Sequence, residues 1–320
     1  MIGKMQIKPA YWAIILFILA SIITFSIVSH MNNFLETNDI YIPPQSPPET
    51  ISFWPQPPPA TTIPGVVVEP QAPFWTSLGP ILIYIFSVVI VLSIVLYFIP
   101  LKVLKKVLRI IFSLLFSWGV FIALVFLTPL TAAITISALV GLIWFFAPRI
   151  WLHNIAMLLA MASLGAVFGR MIPPWTAMIL LLIIALYDFF AVRFGYMLWL
   201  ATKLSESTTL PAFFIPRFVS EWKGDLNGKN ISGLAEIQPA DRDFSILGGG
   251  DIGFPVLLIS SVYFAYGLTD AILVAAFSLV GIIVAYWIQA FFLKGKPMPA
   301  LPPIAALSLI GLLTVSQLLN

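Results

Sequence analysis

Cysteine is absent from this chain of 320 residues, and charged residues make up only 9% of it. Without cysteine, the chain has no disulfide, no thiol nucleophile and no Cys-based metal site. Soluble domains carry about 25% charged residues, so a chain with 60% hydrophobic residues could not cover its apolar surface in water. We therefore expect a protein that lies mostly in the lipid bilayer, and the small net charge of +3 gives no indication of a nucleic-acid partner.

Histidine is scarce as well, with only His30 and His153, and these two are far apart in the chain. A metal-binding helix typically presents two histidines four residues apart, and no such pair exists here. The sequence therefore predicts no metal site, and no motif indicates any other cofactor.

Long apolar runs dominate what is present. A membrane-spanning helix needs about 20 mostly apolar residues. Nine segments are candidates, so we predict an all-α polytopic membrane protein with nine transmembrane helices. An alternative with eight spans merges the third and fourth segments or makes one of them re-entrant. The nine segments are Tyr11–Val28, Thr76–Ile99, Ile110–Leu127, Ala132–Ala147, Ile150–Phe168, Trp175–Gly195, Ile246–Tyr266, Ala271–Leu293 and Pro303–Leu319.

The distribution of basic residues predicts the orientation. With the N-terminus in the cytoplasm, 15 of the 16 Lys and Arg residues fall on the inner side, and only Arg170 falls outside. Cytoplasmic segments of membrane proteins carry such an excess of basic residues. We therefore expect a cytoplasmic N-terminus and an external C-terminus.

Two segments do not read as membrane spans. Residues 36–73 contain eleven prolines, which favour an extended external linker and preclude a helix. Residues 203–245 form the longest cytoplasmic loop, between the sixth and seventh spans, and carry most of the soluble charge. The sequence favours mobility for both segments.

Two carboxylates lie inside predicted spans, Asp188 in the sixth and Asp251 in the seventh. An ionisable residue at membrane depth is costly and by default indicates function. The rise of a helix places Asp188 about 9 Å and Asp251 about 7.5 Å from the inner face. Two consecutive antiparallel helices would therefore bring the two carboxyl groups together.

A close pair of carboxyl groups shares one proton, because two negative charges at short range repel each other. The ionised group can take a proton from water while the protonated group polarises a peptide carbonyl, which is the chemistry of aspartic peptide hydrolysis. Asp188 is predicted in the middle of a helix and Asp251 near the start of one. We expect the shared proton to reside mostly on Asp188 and Asp251 to activate the water.

Two further segments lie near the same inner face. Gly248, Gly249 and Gly250 precede Asp251 and permit another chain to approach closely. Pro299, Ala300 and Leu301 open the ninth span, where prolines leave backbone groups without helical partners. Such groups are tolerated only next to protein or water, but taken alone this cluster is better explained as an ordinary proline-rich start of a helix.

Together these motifs resemble those of the presenilin and signal peptide peptidase family of intramembrane aspartyl proteases, most closely its microbial presenilin-like members. The stretch from Tyr187 to Val192 is similar to the YDxxAV signature, residues 248–251 to the GxGD motif, and residues 299–302 to the PALP motif. Gly249 stands where presenilins usually carry leucine. The residues that follow Asp251, as far as Pro255, are closer to the signal peptide peptidase branch.

The resemblance implies a nine-span intramembrane aspartic endopeptidase with Asp188 and Asp251 as its catalytic residues. It also implies substrate contacts at Tyr187, at residues 248–250 and at residues 299–301. The expected partners are single-pass transmembrane proteins or peptides and the lipid bilayer. A homo-oligomer and accessory subunits are both left open. The expected location is the plasma membrane of a microbe, or the endoplasmic reticulum if the source is eukaryotic.

Two alternatives remain at this stage. Membrane carboxylates also serve as ion sites in proton- or cation-coupled transporters and channels. No internal repeat is evident, which argues weakly against transporters built from inverted repeats. A prepilin-type peptidase shares a GxGD site but has fewer spans and lacks the motif at residues 299–301.

Overall fold

The structure is a computed structural model that describes residues 9–37, 74–98, 101–196, 210–226, 244–292 and 298–318. Within these ranges it contains nine α-helices, one two-stranded sheet and a short 3₁₀ helix, Val219–Lys223. The helices are α1 Pro9–Thr37, α2 Phe74–Phe98, α3 Leu101–Val125, α4 Leu130–Phe146, α5 Ile150–Met171, α6 Pro174–Arg193, α7 Gly250–Tyr266, α8 Leu268–Phe291 and α9 Leu301–Leu318. The strands are β1 Ala212–Pro216 and β2 Phe244–Gly248.

Each predicted span overlaps one of these helices, so the prediction of a mostly helical multi-pass protein is confirmed. Five helices, α1, α3, α5, α6 and α8, are long and apolar enough to cross a membrane. A turn at Leu127 and Thr128 separates α3 from α4, so these two segments do not form one continuous helix. The count of nine spans and the orientation stay predictions.

Helix α5 lies at the centre of the bundle, where it packs against α1, α3 and α7. Small residues let the backbones approach closely, as is usual between membrane helices. A Cβ at Gly119 of α3 would lie 2.5 Å from the Cα of Ala160 of α5, and a Cβ at Gly165 of α5 would lie 2.6 Å from Val256 Cγ1 of α7. The position of α7 is therefore set closely by α5.

Helices α8 and α9 pack together in the same manner. A Cβ at Gly281 would lie 2.6 Å from the Cα of Ile304, and the hydroxyl groups of Ser278 and Ser308 are hydrogen-bonded at 2.7 Å. Ser278 and Ser308 are both fully buried. This contact holds the first turn of α9 against the bundle, which matters because Leu301 begins that helix.

The prediction that the seventh span begins at Ile246 is wrong. Ile246 and Leu247 belong to β2, which pairs antiparallel with β1, and α7 begins at Gly250. A short apolar run does not distinguish a buried strand from a helix. The three glycines then separate the strand from the helix.

Within the loop at 203–245, residues 210–226 and 244–245 contain β1, the 3₁₀ helix and the start of β2, and mobility of most of this loop stays a prediction. Phe213, Phe214 and Ile215 of β1 are at most 1% exposed. Residues 203–209 and 227–243 lie outside the described ranges. So do residues 38–73 of the proline-rich linker, whereas residues 36 and 37 are the end of α1.

Candidate active site

Asp188 lies on α6 and faces the start of α9. Its side chain is buried, with 6% of its surface exposed. The backbone N–H of Leu301 donates to Asp188 Oδ2 over 3.4 Å, a long hydrogen bond that α6 and α9 form across their interface. The structure therefore places the segment that begins at residue 299 beside this carboxyl group, as the sequence predicted.

Asp251 lies in the first turn of α7. Strand β2 leads directly into this turn, and the backbone N–H of Gly248 donates to the Asp251 carboxyl group. The carboxyl groups of Asp251 and Asp188 interact electrostatically. The two carboxyl groups that the sequence singled out are therefore close enough to interact, on two helices that pack against each other.

The three glycines before Asp251 differ in the space around them. A Cβ at Gly249 would lie 2.8 Å from the carbonyl oxygen of Pro211 and would overlap the methyl group of Met157. A Cβ at Gly248 would lie 3.1 Å from Asp251 Oδ2, whereas one at Gly250 would meet only the ring of Phe254, at 3.3 Å. Close packing therefore requires glycine at 249 most strongly and at 250 least.

A cavity opens beside Asp251 between α1, β2, α7, α8 and α9. Ala300 lines it, while Leu301 is buried with 5% exposure. Pro299 precedes them in the segment that leads into α9. The residues that line the cavity are Ala13, Leu247, Asp251, Ile252, Ile282, Ala285, Tyr286, Ala300 and Ile304.

Tyr187 lies at the contact between α6 and α2, and its predicted contact with substrate stays a prediction. Its ring contacts Phe86 of α2 at a centroid distance of 6.3 Å, and its hydroxyl is hydrogen-bonded to Tyr196. The Tyr196 hydroxyl in turn lies 2.6 Å from the Ser93 hydroxyl of α2. Tyr187 therefore adjoins Asp188 in the chain but takes part in the contact between α6 and α2.

Tyr286 on α8 was not found by sequence reasoning. It lines the cavity with Asp251 and interacts electrostatically with that carboxyl group. A single tyrosine in an apolar span carries no motif, so only the packing of α8 against α7 reveals it. Within the described ranges, no three His, Cys, Asp or Glu side chains come together as ligands for a metal.

Comparison with known proteins agrees with this geometry. The family model described as "Signal-peptide peptidase, presenilin aspartyl protease" matches residues 68–319. The chain therefore belongs to this family, and it is an intramembrane aspartyl protease. No curated protein matches the chain.

Two solved structures of a presenilin family intramembrane aspartate protease, in space groups C222 and P2, have a similar fold. The first is 16% identical, with a TM-score of 0.60, over 97% of this chain and 100% of that chain. The second is 17% identical, with a TM-score of 0.57, over 98% of this chain and 99% of that chain. At this level of identity the similarity establishes the fold alone.

Proposed function

We propose that Asp188 and Asp251 are the catalytic pair, and that the enzyme hydrolyses peptide bonds within or near the transmembrane helices of single-pass membrane proteins. The observation that carries the proposal is the electrostatic interaction of two carboxyl groups, on α6 and α7, inside a bundle of mostly apolar helices. Neighbouring backbone groups, at Leu301 and Gly248, already bond to them.

The reaction needs one ionised and one protonated carboxyl group. The ionised group removes a proton from water as the oxygen attacks the scissile carbonyl carbon, and the protonated group donates to the carbonyl oxygen. The tetrahedral intermediate then collapses, and the leaving nitrogen takes a proton from the pair. We assign the resting proton to Asp188 and the activation of water to Asp251, which is the assignment that the sequence favours.

A helical substrate must unwind before its peptide bond can be attacked, and its freed backbone groups then need partners where lipid offers none. The outer edge of β2 is suited to supply them. Asn154 bonds both backbone groups of Phe214 and His153 bonds the carbonyl of Ala212, so these groups of β1 point away from β2.

In an antiparallel pair, two residues opposite each other either both point their N–H and C=O groups toward the partner strand or both point them away from it. Ile246 and Gly248, which pair with Phe214 and Ala212, therefore point theirs away from β1. Ile246 is 38% exposed, and Gly248 also bonds Asp251. An extended substrate segment that added to β2 as a strand would run directly past Asp251.

The orientation is also part of the proposal. With 15 of 16 basic residues inside, the N-terminus would be cytoplasmic, so substrates with external N-termini would match the direction of the site. A reporter fused after Asn320 should label from outside, and one inserted at Glu221 from inside. Labelling of both from the same side would contradict the nine-span arrangement.

The experiment that tests the function uses the purified protein in liposomes with a panel of single-pass substrates, and mass spectrometry of the products. Asp188→Ala and Asp251→Ala should each lower turnover by about 100-fold or more, because each removes a group that transfers a proton. Asp270→Ala is the matched control, since Asp270 lies in the first turn of α8, as Asp251 does in α7.

Both alanine variants should stay folded, which thermal unfolding would check. Turnover that survives either change would contradict the aspartyl mechanism at this pair. No observation favours a transporter, a channel or a prepilin-type peptidase over this assignment. The microbial plasma membrane remains our proposed location, and the oligomeric state stays open.

A further inference from the structure

Two side chains of α5 cover the outer edge of β1. Asn154 donates from Nδ2 to the carbonyl oxygen of Phe214 over 2.6 Å and accepts from the Phe214 N–H over 2.9 Å. His153 Nε2 lies 2.9 Å from the carbonyl oxygen of Ala212, and because a carbonyl only accepts, the histidine nitrogen is the donor. Both side chains are at most 2% exposed.

These bonds take the place of a third strand. Phe214 and Ala212 point their backbone groups away from β2, and inside the bundle such groups are costly unless they are bonded. The amide of Asn154 carries one acceptor and one donor side by side, so it bonds one residue of a strand edge at two points. Such a pair of bonds determines both where β1 lies and which of its residues faces α5.

Strand β1 in turn positions the glycine turn before Asp251. The N–H of Gly249 donates to the carbonyl oxygen of Pro211, the residue just before β1, over 2.9 Å. Met157, about one helical turn after Asn154 on α5, packs against Gly249 itself. Gly249 is the residue that caps α7, and Asp251 lies in the first turn of that helix.

We infer that Asn154, assisted by His153, is a positioning residue for Asp251: it fixes β1 on α5, and β1 fixes the turn that presents the carboxyl group. A shift of β1 by one residue would exchange its two faces and would take Pro211 away from Gly249. Helix α5 carries neither carboxylate of the pair, yet it determines where one of them lies. The inference rests on the proposed function, because the effect of Asn154 is measured as turnover through the proposed catalytic group, Asp251.

The same contact has a consequence for substrate. Because α5 occupies the outer edge of β1, a strand can add to this sheet only at β2, on the side that leads to Asp251. If β1 were no longer fixed on α5, the Asp251 carboxyl group and the edge of β2 that leads to it would therefore be displaced together.

The test compares four variants of the full-length protein in liposomes. Asn154→Leu keeps the size of the side chain and removes both hydrogen bonds of the amide group to Phe214, while the bond of His153 to Ala212 stays. Asn154→Asp keeps the acceptor for the Phe214 N–H. His153→Gln keeps a donor at similar reach to Ala212. Ser163→Ala is the matched control, because Ser163 is a fully buried residue of α5 that bonds the carbonyl of Gly119, away from β1.

Asn154→Leu should lower kcat by about 100-fold, the size expected when a reacting group is misplaced by about 1 Å. KM should rise with it, because the β2 edge that receives the substrate is displaced together with β1. Asn154→Asp should fall between it and the parent protein, and His153→Gln should keep most of the activity. Ser163→Ala should lower the unfolding temperature but leave kcat within about twofold, since its lost bond does not reach β1.

A folded Asn154→Leu protein with the kcat of Ser163→Ala would overturn the inference. Hydrogen exchange on the unmodified protein provides a second measurement that does not depend on any variant. The Phe214 amide should be as protected as those inside the helices, and rapid exchange there would also overturn it. Failure of the proposed function is distinct, because it would appear as turnover that survives Asp188→Ala.

Discussion

The two carboxylates of the site are held by very different surroundings. Asp251 follows a strand, a glycine cap and a helix start that are bonded to one another and to α5. Asp188 lies in the second half of α6, and the described part of the chain offers its carboxyl group one long backbone bond, from Leu301. One carboxyl group is thus positioned by a backbone network and the other by the packing of its helix.

The helices on the two sides of the site differ in the same way, since one is loosely packed and the other closely packed. Helix α2 contacts α6 through Phe86, and its Ser93 bonds Tyr196 just beyond the end of α6. Much of the surface of α2 is exposed, as at Tyr97, which is 76% exposed. Helix α5, on the other side of the site, is mostly buried. The comparison indicates that substitutions near Asp251 should lower turnover strongly, whereas substitutions between α2 and α6 should lower it only slightly. The following experiments test that difference, from the largest expected effect to the smallest.

Leu301→Gln should abolish cleavage, with a loss of about 100-fold or more, because it places a polar side chain where a buried residue positions the start of α9 beside Asp188. The initial rate of product formation, followed by mass spectrometry, measures the effect. Leu313→Gln on the same helix is the control, since Leu313 is 42% exposed. Unchanged turnover of Leu301→Gln would remove this segment from the site.

Gly249→Ala should lower the free energy of unfolding by about 1–3 kcal/mol and reduce turnover by about tenfold or more, because its methyl group meets the Pro211 carbonyl and Met157. Gly250→Ala, which meets only the flexible ring of Phe254, should stay close to the parent protein. Thermal unfolding and kcat are measured on both. Equal effects at the two positions would show that the backbone network is less closely packed than the structure indicates.

Replacing Asp188 or Asp251 with asparagine should lower the affinity for an inhibitor to different extents. An amide in place of Asp188 resembles the protonated acid that we assign there, so Asp188→Asn should retain more affinity for a hydroxyl-bearing peptidomimetic than Asp251→Asn. The pair titrates as a unit, so the assignment concerns the dominant protonation state. Titration calorimetry gives both dissociation constants, and the opposite order would reverse the assignment.

Tyr196→Phe should have the smallest effect. It removes the hydrogen bonds to Ser93 and Tyr187, which together contribute about 2 kcal/mol to stability. Neither bond involves a carboxyl group, so turnover should change by no more than about fivefold. Ser93→Ala is the companion change on α2. A loss as large as that of Leu301→Gln would mean that the contact between α2 and α6 is as important to the site as the network around Asp251.

Sequence reasoning located the helices and both carboxylates because each leaves a local signal. An apolar run of the length of a bilayer predicts a span, and an acid within such a run is conspicuous whatever surrounds it. Pro299, Ala300 and Leu301 were found because the motif at residues 299–302, which carries the family resemblance, is equally local. The start of the seventh span was placed wrongly because Ile246 and Leu247 are as compatible with a helix as with a strand.

Tertiary structure alone revealed β1, its pairing with β2 and its attachment to α5. Asn154 and Phe214 are 60 residues apart in the chain, and nothing near either one indicates the other. The same holds for Tyr286 beside Asp251 and for the tight contact at Gly249. Hydrophobicity and charge, which are read along the chain, determined that this protein lies in the membrane with two acids inside its spans. The positions of those acids relative to each other and to a strand edge depend on contacts between distant segments, which only the folded chain specifies.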